Sequence, residues 1–311
     1  MSLLINRQTA GVFIIAATPF SDSGELDLDS VDTLIDFYLA SGVNGMTILG
    51  VMGEALKMDA AESSIMVTHV LEHVANRIPV VVGVSAAGTD NMARLAHHAM
   101  SAGASGVMIA PPRGTSTEVA LMRYFAGVCD ALGHDVPVCL QDFPQSSDVQ
   151  MSVDTILALT TKHPQIVMLK HEDWPGLNKL SAVRENSDTG DVPRLSILTG
   201  NGGLFLPQEL ARGADGAMTG FAYPEMLVDV VSRYKSGDSQ GAETLFDAYL
   251  PLVRYEQQLG LGLAVRKEIL KRRGAIQSAR VRSPGPSLTP QDHSEITHLI
   301  ERLSQRLHDI G

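Results

Sequence analysis

The segment from Gln165 to Gly176 reads QIVMLKHEDWPG. Its apolar residues Val167, Met168 and Leu169 lead directly into Lys170, and Glu172 follows two positions later. Desolvation disfavours an ammonium group, so a lysine at the mouth of an apolar pocket is driven towards the neutral amine. A neutral amine attacks a ketone and forms a Schiff base. The protonated imine then acts as an electron sink, which lets an adjacent C–C bond break or a proton leave the neighbouring carbon. The plainer reading is a lysine that snorkels out of a strand end and does no chemistry. If the strand continues past Lys170, its period of two puts Glu172 on the same face. There it can keep the amine's surroundings polar or move a proton as general acid or base. Otherwise it is an exposed loop carboxylate.

Two glycine-bearing loops offer places for an anion. Gly50-Val51-Met52-Gly53-Glu54 follows one apolar run, and successive backbone N–H groups in such a loop can hold a carboxylate. Gly200-Asn201-Gly202-Gly203 follows another and is read as opening a helix, a position suited to an anion. Ordinary turn chemistry accounts for either loop equally well. His69-Val70-Leu71-Glu72-His73 matches the H-x-x-E-H pattern of some zinc hydrolases. It falls in the middle of an outer amphipathic stretch, so it is read as surface helix and not as a metal site. His97 and His98 are adjacent and point to different sides of a helix. No metal and no organic cofactor are expected.

These residues need elements to hold them. Eight short apolar runs recur along the chain, at 12–17, 46–49, 79–83, 106–110, 137–141, 166–170, 196–199 and 216–219. Amphipathic stretches of helical period lie between them, such as 59–75, 89–102 and 152–163. Near-continuous apolar strands alternating with helices imply a parallel sheet covered by helices. Eight such units imply a (β/α)8 barrel, an α/β fold. A doubly wound open sheet would want a glycine-rich phosphate turn after the first strand, where this chain has Thr18-Pro19-Phe20. The expected division is a barrel domain over residues 1–236 and a C-terminal helical extension over 237–311. In such a barrel the active site lies at the C-terminal ends of the strands. Those ends are Thr18, Gly50–Glu54, Ser85, Pro111, Gln141-Asp142, Lys170–Glu172, Gly200-Asn201 and Thr219.

A formal charge of -11 argues against a nucleic-acid surface or an anionic membrane as partner. With 44% hydrophobic and 19% charged residues, the chain has the composition of a folded globular protein. Its two cysteines, Cys129 and Cys139, form no CxxC pair and read as buried thiols in a reducing compartment. The N-terminus lacks the features of a secretory signal, so a cytoplasmic location is expected.

At the residues described, the chain resembles the dihydrodipicolinate synthase and N-acetylneuraminate lyase family, Schiff-base lyases built on a (β/α)8 barrel. The likeness runs from about Gly11 to Ser283 and rests on ATPF, GVMGE, IPVVVGV, APP, the lysine of the sixth run, LTGNGG and GADGAMTG. It implies a small 2-keto acid as substrate, no cofactor beyond the covalent imine, and a homo-oligomer, tetramer or dimer. Lys170 takes the place of the Schiff-base lysine. Val51 and Met52 stand where the family usually has two hydroxyl residues that hold the keto-acid carboxylate. Gly200 and Met218 take substrate-lining places, with Asn201 and Thr219 beside them. The family's tyrosine after the fifth strand is replaced by Gln141 in LQDFP, and Ser146 stands in place of the usual arginine. Glutamine is no phenolic proton relay.

Within the family, the 2-keto-3-deoxy-L-arabonate dehydratases are the most similar branch. They share QDxP (Gln141–Pro144), the Lys170/Glu172 pair and PGxxNKL (Pro175–Leu180). The reading this favours is dehydration of a 2-keto-3-deoxy sugar acid, with Glu172 as base and Glu54 or a bound water as substitutes. A pyruvate-dependent aldolase or synthase, and a non-catalytic keto-acid-binding homologue, are the alternatives.

Overall fold

The computed structural model describes residues 3–190 and 192–310. Eight strands carry the architecture: β1 (Gly11–Ile15), β2 (Gly45–Ile48), β3 (Val80–Gly83), β4 (Gly106–Ile109), β5 (Val138–Asp142), β6 (Ile166–His171), β7 (Ser196–Thr199) and β8 (Gly216–Thr219). Each pairs in parallel with its neighbours in chain order, and β8 pairs with β1 to close the barrel. The expected (β/α)8 barrel is what the chain forms. Strand limits agree with the sequence reading at β7 and β8 and differ by one or two residues elsewhere. The difference that matters is at β6, which continues one residue beyond Lys170.

Around the barrel run α1 (Leu28–Ala40), α2 (Ala60–Val74), α3 (Thr89–Ser101), α4 (Glu118–Leu132), the short α5 (Pro144–Ser147), α6 (Val153–Lys162), α7 (Leu177–Asp188), α8 (Leu206–Ala211) and α9 (Pro224–Lys235). Side-chain caps start several of them where the sequence signals a start. Asp59 closes a capping box with Glu62 on α2, while Thr117 and Ser152 cap α4 and α6. On α2, His69 reaches Asp32 at 2.7 Å and His73 reaches Asp36 at 3.0 Å. The H-x-x-E-H pattern therefore joins α2 to α1. Among the described residues no group of three or more His, Cys, Asp or Glu side chains is placed to hold a metal ion.

The strands sort their side chains by the period of two. Val12 and Ile14 of β1 face the surrounding helices, whereas Phe13 and Ile15 face the barrel axis. Val81, Met108, Cys139, Met168, Leu198 and Met218 fill the same interior. Ile5 plugs the bottom, against Gly106 at the start of β4. This packed column supports whatever stands at the top. Burial pushes the Cys139 thiol up to about 12 and the Cys129 thiol up to about 11, so neither is a nucleophile at neutral pH.

Beyond α9 lie α10 (Ser239–Glu256), α11 (Gly262–Arg272) and α12 (Pro290–Ile310). Helix α10 packs on both α9 and α12. No helix among the described residues is long and apolar enough to cross a membrane.

Candidate active site

Lys170 stands near the end of β6 with its side chain almost wholly buried. The ladder to β5 continues past it, because the Glu172 N–H donates to the Asp142 carbonyl at 2.8 Å. The chain therefore stays extended, and Glu172 returns to the face that Lys170 occupies. Glu172 Oε2 lies 2.9 Å from Lys170 Nζ. The register of β5 and β6 sets Gln141 beside Lys170, and Gln141 Nε2 donates to the same Oε2 at 2.7 Å. Gln141, Lys170 and Glu172 are each no more than 6% exposed. The backbone of Glu172 is fixed as well, since its carbonyl accepts from Asn201 Nδ2 at 3.2 Å.

The residues that alternate with these face outward and brace the loop that follows. Asp142, wholly buried, lies 2.6 Å from Lys179 Nζ, which also reaches Asp173 at 3.0 Å. His171 packs at 3.5 Å from Asp142 through Nδ1, and its Nε2 meets the Gly176 carbonyl at 2.9 Å. The E-D-W-P-G turn after β6 is thus tied down on both sides.

Lys170, Glu172 and Gln141 line a cavity of about 110 Å³ that Val51, Met52, Asn201 and Thr219 also border. A second cavity of about 370 Å³ adjoins it and shares Val51, Gln141 and Phe143. The second is mostly apolar, with Gly50, Ser85, Pro111 and Arg113 on its walls. Lys170 thus stands in a small chamber with a few polar groups on its wall, beside a wider outer one.

The structure brings most of the sequence-derived candidates together, and moves three of them. Glu54 is not on either cavity. Its carboxylate meets Lys267 Nζ at 2.5 Å and Lys57 Nζ at 2.9 Å, and accepts from the Arg282 N–H at 2.9 Å. These contacts use both of its oxygens, so Glu54 anchors the C-terminal segment to the β2 loop and cannot stand in as a base. Met218 belongs to the barrel interior one layer below the cavity, in contact with Cys139. Gly200 lines neither cavity; it lies against the Glu172 side chain, where an added Cβ would overlap the Cγ and Oε1 of that residue. Thr219 does reach the cavity, although its hydroxyl is engaged by the Gly202 N–H at 2.7 Å.

The Gly200 loop also differs from expectation. It makes a single 3-10 turn, Asn201–Gly203, and the next helix starts only at Leu206. No helix N-terminus therefore points from this loop at a ligand. Strain marks both loops instead. Leu49, Glu54 and Asn201 have positive φ, a conformation that costs non-glycine residues free energy and that clusters at functional sites.

Two cavity residues come from outside the barrel, where sequence reasoning did not look. Gln257 follows α10 and Arg266 is on α11; both line the chamber that holds Lys170. The available signal was Arg266-Lys267 set between Ala264-Val265 and Ile269-Leu270, two cations inside an apolar helical stretch. Both cations are fully buried.

With this geometry in hand, the chain can be set beside known proteins. The model of the dihydrodipicolinate synthetase family matches residues 8–303. The chain belongs to this family. It is a lyase accordingly. Among individual relatives, the L-2-keto-3-deoxyarabonate dehydratase of Azospirillum brasilense is 30% identical over 94% of this chain and 94% of its own length. The 4-hydroxy-tetrahydrodipicolinate synthase 1 of Streptomyces coelicolor is 34% identical, over 94% and 93% respectively. A solved dihydrodipicolinate synthase from Rhodopseudomonas palustris is 48% identical and superposes with a TM-score of 0.94, covering 97% of this chain and all of that one. YagE of Escherichia coli K12, solved in complex with pyruvate, is 25% identical with a TM-score of 0.87, over 95% and 98%. Family and fold are shared by dehydratases and synthases alike, so the choice between them falls to the site.

Proposed function

We propose that this lyase dehydrates a 2-keto-3-deoxy sugar acid through a Schiff base on Lys170, with Glu172 moving the protons. The observation that carries the reading is the Gln141–Glu172–Lys170 chain of contacts at the cavity. A carboxylate stands 2.9 Å from the amine, and a glutamine fills the place where synthases of the family carry a tyrosine. Glu172 can take a proton from the Lys170 ammonium and free the amine to attack the substrate's C2 ketone. One water leaves as the imine forms. The imine acidifies C3, and in this reading Glu172 removes a proton there as general base. That proton then assists departure of the C4 hydroxyl as water. For a five-carbon acid a proton next moves from C5 to C3. The C4=C5 enol so formed takes a proton at C4 and gives up its hydroxyl proton, which makes the aldehyde. Hydrolysis of the imine takes up one water and returns Lys170. The balance over one cycle is the loss of one water and no carbon.

Forming a C–C bond in the manner of a synthase calls for a phenolic relay. Among the described residues no tyrosine lines the cavity, and its one hydroxyl side chain, Thr219, is already engaged by a backbone amide. The division of space fits the same reading. The 110 Å³ chamber suits the keto-acid end, and the adjoining cavity gives room for the rest of a sugar acid. The synthase reading keeps its own support, the 48% identity to a solved dihydrodipicolinate synthase and the 34% identity to the Streptomyces coelicolor synthase.

The decisive experiment is incubation with a panel of 2-keto-3-deoxy acids under borohydride trapping. Dehydration is expected to give a keto semialdehyde with all carbons retained, and trapping to add the mass of the bound keto acid less one oxygen atom at Lys170. Release of pyruvate with an aldehyde would establish an aldolase. Absence of any adduct would leave a keto-acid-binding protein without this chemistry.

A further inference from the structure

Arg266 is the largest of the fully buried side chains, 1% exposed, and it comes from α11 and not from the barrel. Its Nε donates to Glu256, a fully buried carboxylate that also accepts from the Ala222 N–H at 3.1 Å. One end of the guanidinium is thus neutralised and held. The other end is not: Nη1 is buried and has no hydrogen-bond partner among the described residues. An unpartnered donor on a buried cation is costly, and such a group calls for an explanation. Two facts say where it points. Arg266 lines the chamber shared by Lys170 and Glu172. A Cβ added at Gly220, the residue after β8, would overlap Nη1, so the guanidinium passes over the end of β8 only because that residue is glycine.

From this geometry we infer that Arg266 is a substrate-binding residue whose Nη1 receives the carboxylate of the 2-keto acid. The inference rests on the Schiff-base reading for the identity of the ligand, and on Arg266 itself for the site. A planar guanidinium with one edge held by a carboxylate offers its remaining N–H groups in a fixed direction, which suits a carboxylate partner. Charge agrees with the assignment. Lys170 is neutral when it attacks, so the cation left on the chamber's wall is Arg266, whose Nη1 has no partner among the described residues until the acid arrives. The β2 loop supplies no side-chain donor opposite, because Val51 and Met52 carry only apolar side chains. Lys267, the neighbouring cation, is spent elsewhere, on Glu54 at 2.5 Å and the Arg280 carbonyl at 2.7 Å. The specificity for an acid therefore enters the barrel from the C-terminal extension.

The test uses the full chain and separates anion binding from the covalent step. Removing Arg266 alone would strand the buried Glu256, so the working variant is Arg266→Met with Glu256→Gln, compared with Glu256→Gln alone. Each is made in a Lys170→Ala background, and pyruvate and methyl pyruvate are titrated by calorimetry, with folding checked by circular dichroism. The Lys170→Ala protein should prefer pyruvate to its ester. Adding Arg266→Met/Glu256→Gln should weaken pyruvate at least tenfold, leave the ester nearly unchanged and so erase the preference. A preference that survives loss of Arg266 would overturn the inference. Should the double variant fail to fold, Arg266→Lys gives the second measurement. A point charge that keeps the pairing with Glu256 but loses the second N–H edge should weaken pyruvate severalfold, and unchanged affinity would overturn the assignment. Borohydride trapping in the parent protein, run in parallel, reads the Schiff base alone. An adduct without acid preference sinks only the role of Arg266, and an acid preference without adduct sinks only the covalent reading.

Discussion

Gly200 and Glu172 are fitted to each other: the carboxylate side chain lies where a β-carbon on Gly200 would have to be. The glycine of the seventh strand's end thus sets the position of an acid on the sixth. Gly200→Ala should push Glu172 away from Lys170 without touching substrate. A shift of about 1 Å in a catalytic group costs on the order of a hundredfold in rate. Turnover of the keto-deoxy acid is expected to fall by about that factor while borohydride still traps an adduct at Lys170. A variant with parent-like turnover would show that Glu172's position is not limiting.

Glu172→Gln keeps the shape of the side chain and removes its basicity. General-base removal typically lowers rates by about 10²–10⁴, and that range is expected for kcat in steady-state assays. Lys170→Ala should abolish both turnover and trapping. If Glu172→Gln retained more than half of parental kcat, the proton would have to travel by another group.

Lys267 and Glu54 form a buried pair, with Lys267 also 4.6 Å from the centre of the Phe20 ring. Burial pulls the Lys267 ammonium below its ordinary range, against the pull of Glu54. Breaking such a pair by removing one partner leaves a buried charge uncompensated, at about 3–5 kcal/mol. Because Lys57 and the Arg282 N–H still face Glu54, Lys267→Met should lower unfolding free energy by less than that full amount in urea titrations. Exchanging both partners together, Lys267→Met with Glu54→Leu, should recover part of the loss.

Glu209 of α8 is buried beneath the β6–α7 loop with Oε2 unpartnered among the described residues, and burial pushes its carboxyl up to about 7. In the unfolded chain it titrates near 4.5. Between those values the folded state binds a proton that the unfolded chain has released. The contribution to stability is complete below pH 4.5 and is lost progressively as the pH rises through about 7. The span corresponds to on the order of 3 kcal/mol. Glu209→Gln should accordingly be more stable than the parent at pH 8 and show a flatter dependence from pH 5 to 8. Parallel curves for the two proteins would place the titration on another group.

The barrel was legible because its strands announce themselves. Runs such as Val80–Gly83 and Gly106–Ile109 are apolar on every residue, as strands buried on both faces must be. Lys170 stood out for the opposite reason, a cation ending such a run. Glu172 followed from period two alone, and the ladder beyond β6 realises it. What the sequence hid is pairing over long separations. Glu54 sits in a glycine loop that looks made for a ligand, yet its partners are 3 and 213 residues away. Arg266 is 96 positions beyond Lys170 on a helix whose apolar pattern says only that it is buried. Periodicity reports which face is covered, never what covers it. The Gly200 loop misled for a local reason, since Leu206 and not Asn201 begins the helix and two further residues intervene after the 3-10 turn.

Two of the walls of the reaction chamber, Gln257 and Arg266, belong to segments that follow the closure of the barrel. Eight strands and their helices alone would close the cylinder but leave the chamber at its end without these two walls. Shortened versions of this protein, or hybrids that join its barrel to another tail, would inherit the amine without the guanidinium. Selectivity in this lineage can therefore drift by exchanges in the tail while every strand stays as it is.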